Sequence, residues 1–368
     1  MSSISFFGAS GDVTGSCYLV KGEKNNQILV DFGMFQGPRD LSDLNYKPLE
    51  FKPAELRAVL LTHAHLDHCG RLPLLVFGGF EGKIYMTAPT RDLVEVILTD
   101  AAKVAQEKLE AIPLYGPEEV FRALQMIEVV EYEQELTVAE FTITFKDAGH
   151  ILGSASIEVV DNADGKKIVF SGDLGNTPED IIKPAVYSDN ADIVVMETTY
   201  GNSTHPNEDV SQILMEEINA IEDTGGVLLI PAFSLERTQE LLHRINHLKK
   251  DGKIRADTPV FMDSPMGIRA TEIFKEFKQF YNEEMQSHTS DPFDFEGLAT
   301  TIEARDSKDI IRAMEPKVII AGSGMMSGGR ILHHALNYLP IKTTRILFVG
   351  FQAEGTLGRQ IINGAKNV

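Results

Sequence analysis

The stretch Leu60-Leu61-Thr62-His63-Ala64-His65-Leu66-Asp67-His68-Cys69-Gly70 constrains this chain more than any other. The apolar run from Ala58 to Leu61 reads as a buried strand ending on Thr62. Three imidazoles and a carboxylate follow within six positions, with neither a helical nor a strand period that would bury them on one face. Groups of that polarity at that density cannot be packed as core without a large desolvation cost. Neutral imidazole and carboxylate are the ligands that suit zinc and similar divalent ions. His-x-His alone is common on surfaces. The full His-x-His-x-Asp-His after a hydrophobic strand predicts a metal site.

Four further strand ends deliver a polar side chain in the same way. Asp31 follows the run Gln27 to Val30, and His150 follows the alternating Phe141 to Phe145 within a glycine-rich turn. Asp173 follows Lys167 to Phe170, and Glu197 follows Ala191 to Met196. Five such junctions suggest ligands converging on one edge of a sheet stack. Asp31 fits either a turn acid or an acceptor that orients a ligand histidine. On convergence, His63, His65 and His150 form a three-histidine site with an open position. Asp67 and His68 then hold a second ion, with Asp173 between the two. These six candidates exceed what one structural zinc needs, so a dinuclear hydrolase is the better reading. Two ions about 3.5–4 Å apart lower the pKa of a shared water and stabilise both oxygens of a phosphoryl displacement.

With 368 residues, two domains are expected. No apolar run approaches the ~20 residues of a membrane helix, and the N-terminus lacks the basic region of a signal peptide. A cytoplasmic protein is expected, with Cys17 and Cys69 as reduced thiols and Cys69 outside the ligand set. The net charge of −20 excludes a chain-wide nucleic-acid surface. A polyanionic substrate would need a locally basic cleft, to which metal ions contribute. Helices are expected over Gly70 to Val76, Thr90 to about Ile112, and Glu118 to Ile127.

From about residue 203 strands and helices alternate, which predicts a second domain at 203–368 built on a mainly parallel sheet, after a first at 1–202. Its expected strands are Val227 to Ile230, Val260 to Met262, Val318 to Ala321 and Arg345 to Phe351. Glu283 to Arg305 reads as a long surface loop, and His205-Pro206-Asn207-Glu208-Asp209 as a turn and helix start. Three strand–helix junctions are candidate ligand loops. They contain Arg237, Ser264, and Ser323-Gly324 with Arg330. The third fits a backbone nest for phosphate or simply a tight turn. Arg237, Arg330 and Arg359 beside such loops fit either phosphate binding or solvated surface charge. Ser264 and Ser323 are candidates to line the same cleft.

The order Asp31, His63-x-His65-x-Asp67-His68, His150, Asp173 resembles motifs 1 to 4 of the metallo-β-lactamase fold. Glu197-Thr-Thr-Tyr-Gly, Pro231-Ala-Phe-Ser-Leu-Glu-Arg, Asp263-Ser-Pro and Gly322 to His334 resemble the β-CASP subfamily of RNA- and DNA-processing nucleases. The resemblance covers essentially the whole chain. It is nearest to bacterial and archaeal relatives of the mRNA 3′-end cleavage factor. It implies an α/β architecture, a four-layer αββα sandwich with an inserted β-CASP domain, and single-stranded RNA in the cleft between them. It also implies two zinc ions, Asp67 as a ligand that handles a water proton, and Glu197 as the acid that orients a ligand histidine.

Two departures from that pattern shape the expectations. The first domain is expected to resume after the insertion and to supply a further histidine to the second metal, and the chain stops at Val368 before such a segment. A weakened second site, exposed sheet edges and a homodimer are therefore expected. Gln360 stands where the eukaryotic cleavage factors carry a histidine, and Gln cannot act as a general acid. His333 and His334 are the available substitutes, against a plain helix-surface role. The competing functions are a small-molecule hydrolase on the same metal core and an RNA-binding protein with an incomplete site.

Overall fold

The computed structural model describes residues 2–107, 112–176, 180–202, 204 and 209–365. It forms two compact units, Met1–Asn202 with Phe277–Glu283, and Ser203–Glu276 with Glu284–Val368. The short return of 277–283 to the first unit centres on Tyr281, which is fully buried and bridges Ile182, while Asn282 N–H donates to the Ile181 carbonyl.

The first unit holds two sheets. One contains β1 (Ser3–Phe6), β2 (Tyr18–Lys21), β3 (Gln27–Val30), β4 (Leu56–Leu60), β5 (Lys83–Met86) and β6 (Ile127–Val129), in that order. It is antiparallel up to β3 and parallel from β3 onward. The other contains β7 (Glu135–Val138), β8 (Phe141–Asp147), β9 (Ala155–Asp161), β10 (Lys167–Phe170) and β11 (Ile193–Val195), in the order β11-β10-β9-β8-β7. Val20, Ile28, Val30, Ala58 and Leu60 of the first sheet share one core with Phe141, Ile143, Phe145, Ile157, Val159 and Phe170 of the second. This face-to-face burial explains why β8 alternates; Leu29 and Val59, on the other faces of β3 and β4, are buried as well, so 28–30 and 58–61 read as unbroken apolar runs. At the second sheet's edge, Ile193 and Val194 of β11 are exposed.

Helix boundaries moved where proline intervenes. Of the helix expected over Gly70 to Val76 only the end is helical, as Leu74–Phe77 entered through Pro73, with 70–73 in turns and a separate short helix, Leu66–Cys69, before it. Pro73 has no N–H to continue a helical ladder from the first. The helix expected from Thr90 runs Ala88–Glu107, and its predicted end lies outside the described residues.

The second unit is a five-stranded sheet of β12 (Val227–Pro231), β13 (Val260–Asp263), β14 (Leu298–Thr300), β15 (Lys317–Ala321) and β16 (Arg345–Ile346). Every pairing is parallel, in the order β14-β13-β15-β12-β16. Leu229, Ile319 and Ala321 pack with Ile331 and Ala335 of the helix Arg330–Tyr338. Of the expected turn at 205–209 only Asp209 is described, and its carboxylate caps the helix Val210–Thr224 by accepting from Ser211 and Gln212 N–H.

Two expectations fail here. The strand predicted to reach Phe351 stops at Ile346, apart from one bond from Leu347 N–H to the Leu229 carbonyl. The next ladder bond would need an N–H from Pro231, which has none. The predicted loop over 283–305 is partly regular, with a helix at Glu283–Ser287, the strand β14 and the start of a helix at Ala304–Asp309. Buried Met285 and Phe293 anchor this otherwise polar stretch.

Candidate metal centre

The first unit gathers Asp31, His63, His65, His68, His150 and Asp173 around the ends of β3, β4, β8 and β10. Asp31 leaves β3 in a left-handed conformation (φ 58°), an unusual one for a residue with a side chain. Its N–H continues the ladder to the Leu60 carbonyl, and its side chain turns beneath the histidine loop. That loop is laced to 32–34 by backbone bonds from Phe32 to His68 and from Met34 to Leu66. Gly33 is required there, because a Cβ would collide with the Asp67 carbonyl.

Thr62 sets the protonation pattern. The Asp31 carboxylate can only accept, so Oδ1 takes the Thr62 N–H (2.8 Å) and Oδ2 takes the Thr62 hydroxyl proton (2.9 Å). The Thr62 oxygen then has only lone pairs left for His63 Nδ1 at 3.0 Å, so that nitrogen carries the proton. His63 Nε2 is left as a bare lone pair aimed into the centre. His68 is oriented by the same acid, its Nδ1 lying 2.7 Å from Asp31 Oδ2. Asp31 thus holds two imidazoles, one directly and one through Thr62.

Inside the centre the donors face one another. His63 Nε2 lies 3.1 Å from His65 Nδ1, and His65 Nδ1 lies 3.2 Å from His150 Nε2. Asp173 Oδ2 is 3.8 Å from the former and 3.6 Å from the latter Nε2. One donor atom from each of the four residues falls within 4.8 Å of all the others. Burial, reinforced by the neighbouring imidazoles, pushes His63 well below the usual histidine pKa and His65 down to about 3. If His65 Nδ1 carries a proton it can satisfy one neighbouring Nε2, not both. A shared cation satisfies all three nitrogens, which is the test the donor set must pass, and it passes.

The other oxygen of Asp173 faces a second group of donors. Oδ1 lies 3.2 Å from His68 Nε2, which is 3.9 Å from Asp67 Oδ2. Burial opposes charge on His68, yet Asp173 and Asp31 outweigh it and hold the imidazole well above its usual pKa. Burial lifts Asp67 to about 6. Cys69 stays outside, its thiol donating to the Ala64 carbonyl and kept protonated by burial.

The loops carrying His150 and Asp173 interlock. Ser154 Oγ accepts from the N–H groups of His150 (3.0 Å) and Ile151 (3.2 Å). A Cβ on Gly175 would strike the Gly149 carbonyl, so the two glycine turns meet backbone to backbone. Glu197, expected to orient a histidine, is seen holding backbone instead. Its carboxylate accepts from Leu174 N–H (3.4 Å) and Thr199 N–H (3.0 Å), which fixes the turn beside Asp173.

The candidates in the second unit have partners of their own. His334 is fully buried with Nε2 2.7 Å from Asp263 Oδ2, away from the helix surface on which a proton donor would sit. Arg330 donates to Asp263 Oδ1 (2.6 Å) and to the carbonyls of Thr301 and Ile302. Asp263 also receives the hydroxyls of Thr301 and Ser307. This hub braces the sheet end, so Arg330 and His334 serve the scaffold, a correction to the roles expected from sequence. His333 lies on the same helix, partly buried. Arg237 pairs with Glu240, and Arg359 with Glu354 at 3.4 Å. Ser264 caps the following helix by accepting from Gly267 N–H, and Ser323 closes its loop by accepting from Ser327 N–H. Gly324 lies against the Phe233 ring, where a Cβ would clash.

Sequence reasoning passed over Thr62, Ser154 and the hub role of Asp263. Thr62 lay inside the opening stretch and was read only as a strand end.

Comparison with known proteins agrees with this geometry. Residues 10–195 match the family model described as the metallo-beta-lactamase superfamily, and 238–361 match the Beta-Casp domain. A protein named as a ribonuclease from Thermus thermophilus is 39% identical over 97% of this chain and 80% of its own length. An RNase J-like protein from Methanocaldococcus jannaschii is 32% identical over 99% of this chain and 81% of its own. The transcription termination factor FttA of that organism is 30% identical, and this chain spans 58% of its length. Among solved structures, a protein of unknown function from Enterococcus faecalis aligns over 95% of this chain and 88% of its own, with a TM-score of 0.54 at 11% identity, a likeness of fold alone. The chain belongs to the metallo-beta-lactamase superfamily and carries a Beta-Casp domain, as a metal-dependent hydrolase.

Proposed function

We propose that this protein is a cytoplasmic, zinc-dependent ribonuclease that hydrolyses phosphodiester bonds in single-stranded RNA, internally and from an end. The carrying observation is the donor set of His63, His65, His150 and Asp173, with the His63 tautomer fixed by Thr62 and Asp31. The ribonuclease names of two relatives support RNA as the substrate.

His63, His65 and His150 with Asp173 would hold the first ion, and Asp67 and His68 with Asp173 would hold the second, weaker one. Bound there, zinc supplies a water acidic enough to attack near neutral pH and positive charge against the phosphate. Asp67 would receive the proton of the attacking water on the carboxylate oxygen that does not face His68. Asp31 keeps the imidazoles aimed, and Glu197 keeps the Asp173 turn in place. Phosphate contacts fall to Arg237, Arg359 and the loops at Ser264, Ser323 and Gly324, and His333 is the remaining histidine for protonating the leaving oxygen. A homodimer would cover the exposed β11 edge.

The test is zinc content together with cleavage of an end-labelled single-stranded RNA, using Asp67→Ala as the control. At least about one zinc per chain, with cleavage lost in the variant, is expected. Less metal than that, or unchanged cleavage in Asp67→Ala, overturns the proposal.

A further inference from the structure

The second unit contains another histidine cluster, unconnected with the centre just described. His243 and His247 stand one turn apart on the helix Arg237–Lys250, so both project from the same face. His288 follows the short helix Glu283–Ser287. The ring centroids are 4.5 Å apart for His243 and His247, 5.2 Å for His247 and His288, and 5.7 Å for His243 and His288. One ring nitrogen from each lies within 4.8 Å of the other two.

Two observations point to a ligand. His243 is 7% exposed, and its Nδ1 is buried without a hydrogen-bond partner among the described residues. The buried Nε2 of His288 also lacks one. A buried polar atom left unpaired is destabilising, and two beside a third imidazole are not explained by packing.

The surroundings show what an ion would do. The same helix already grips the irregular chain of 288–297 by other side chains. Asn246 Nδ2 donates to the Pro292 carbonyl at 3.0 Å, and Lys249 Nζ donates to the Glu296 carbonyl at 2.7 Å as well as to those of Ala256 and Thr258 outside the stretch. Lys250 Nζ reaches Ser290 Oγ at 3.3 Å. His288 sits where that chain leaves its short helix, so a tie from it to His243 and His247 would close the one end these bonds leave open.

We propose that His243, His247 and His288 bind a divalent transition-metal ion of the zinc class, which staples the 283–297 segment to the helix Arg237–Lys250. Three imidazoles suit such an ion, with water as the fourth ligand. No carboxylate belongs to the set, and Arg244 and Lys250 add positive charge nearby. The site therefore binds more weakly than the centre that contains Asp173.

The test uses the 368-residue chain with His63→Ala, His68→Ala and His150→Ala, which remove histidines from both metal positions of the first centre, and Co2+ as a visible probe. Titration should give the absorption of nitrogen-coordinated cobalt at about one ion per chain. Adding His247→Gln or His288→Gln, both partly exposed positions, should abolish it while circular dichroism stays unchanged. In otherwise unaltered protein, zinc should slow proteolysis within 283–297, and His288→Gln should remove that protection. No cobalt band in the disabled background, or a band that survives both glutamine variants, overturns the proposal. Should a glutamine variant fail to fold, the proteolysis of unaltered protein with and without zinc decides, and no protection refutes the staple.

Discussion

Two buried histidine–aspartate pairs in this protein are nearly superimposable in their chemistry and differ in everything around them. His68 Nδ1 lies 2.7 Å from Asp31, and His334 Nε2 lies 2.7 Å from Asp263. In the first pair the far nitrogen of the ring looks onto Asp173 and Asp67. In the second, the far nitrogen, Nδ1, is buried without a partner among the described residues, while Asp263 is surrounded by Arg330, Thr301 and Ser307. An oriented imidazole is therefore not a site by itself. What its second nitrogen meets decides whether the pair serves chemistry or structure.

The sharpest way to break this contrast is to remove a donor from the first region. His63→Ala should reduce RNA cleavage by at least about a thousand-fold, the scale of losing several kcal/mol of charge stabilisation. Chelation should do the same to the unaltered protein. Thermal stability measured without metal should change far less than activity. Cleavage within tenfold of the parent would remove His63 from the centre.

In the second region the order of effects should reverse. Asp263→Asn strips a buried charge from its partners and should lower stability by about 3–5 kcal/mol, measured by urea unfolding. Cleavage by the folded fraction should stay within a few-fold. The pH dependence follows from the same pair. Burial alone would raise the Asp263 pKa, but hydrogen bonds from His334, Ser307, Thr301 and Arg330 hold it well below the usual carboxylate range. Its stabilisation is complete above the unfolded value near about 4 and is lost as pH falls toward the folded one. The acid limb of the stability curve should therefore be steeper in the parent than in Asp263→Asn. Equal slopes would deny Asp263 its charge.

Thr62→Val is the subtler probe of the first region. The swap keeps shape and removes the hydroxyl that joins Asp31 to His63. Loss of such an orienting partner typically weakens metal binding by about 10–100-fold. Competition titration with a zinc chelator should show that drop, and an unchanged affinity would mean that His63 is oriented by packing alone.

How much of this could be read from the chain depends on how local the signal is. The ends of β3, β4 and β10 were legible because a strand buried on both faces runs apolar up to its end and turns polar only beyond it, and the end of β8 from the break in its alternation. The parallel sheet of the second unit was legible from its strand–helix alternation. Thr62 was not, because its value lies in two neighbours, one of them thirty-one positions away in sequence. His334 misled for the opposite reason, since a histidine after a glycine-rich loop looks like chemistry until Asp263 is placed against it. His243 and His247 did carry a local signal, four-residue spacing on a helix, but His288 joins them only through the fold. The early end of β16 turned on one missing N–H at Pro231.

The smallest effect concerns Lys249, which separates a metal staple from the ordinary grip of the helix. Its ammonium reaches three carbonyls, those of Ala256, Thr258 and Glu296. Lys249→Met keeps most of the stem and removes those bonds, two of whose acceptors lie at the exposed surface, where water can replace the donor. A loss of about 1–2 kcal/mol is expected, read from urea unfolding without metal. Zinc should still protect the 283–297 segment in this variant, because the histidines act on its other end. If Lys249→Met and His288→Gln each abolish zinc protection, the segment is held as a single cooperative unit, and the distinction between its two ends fails.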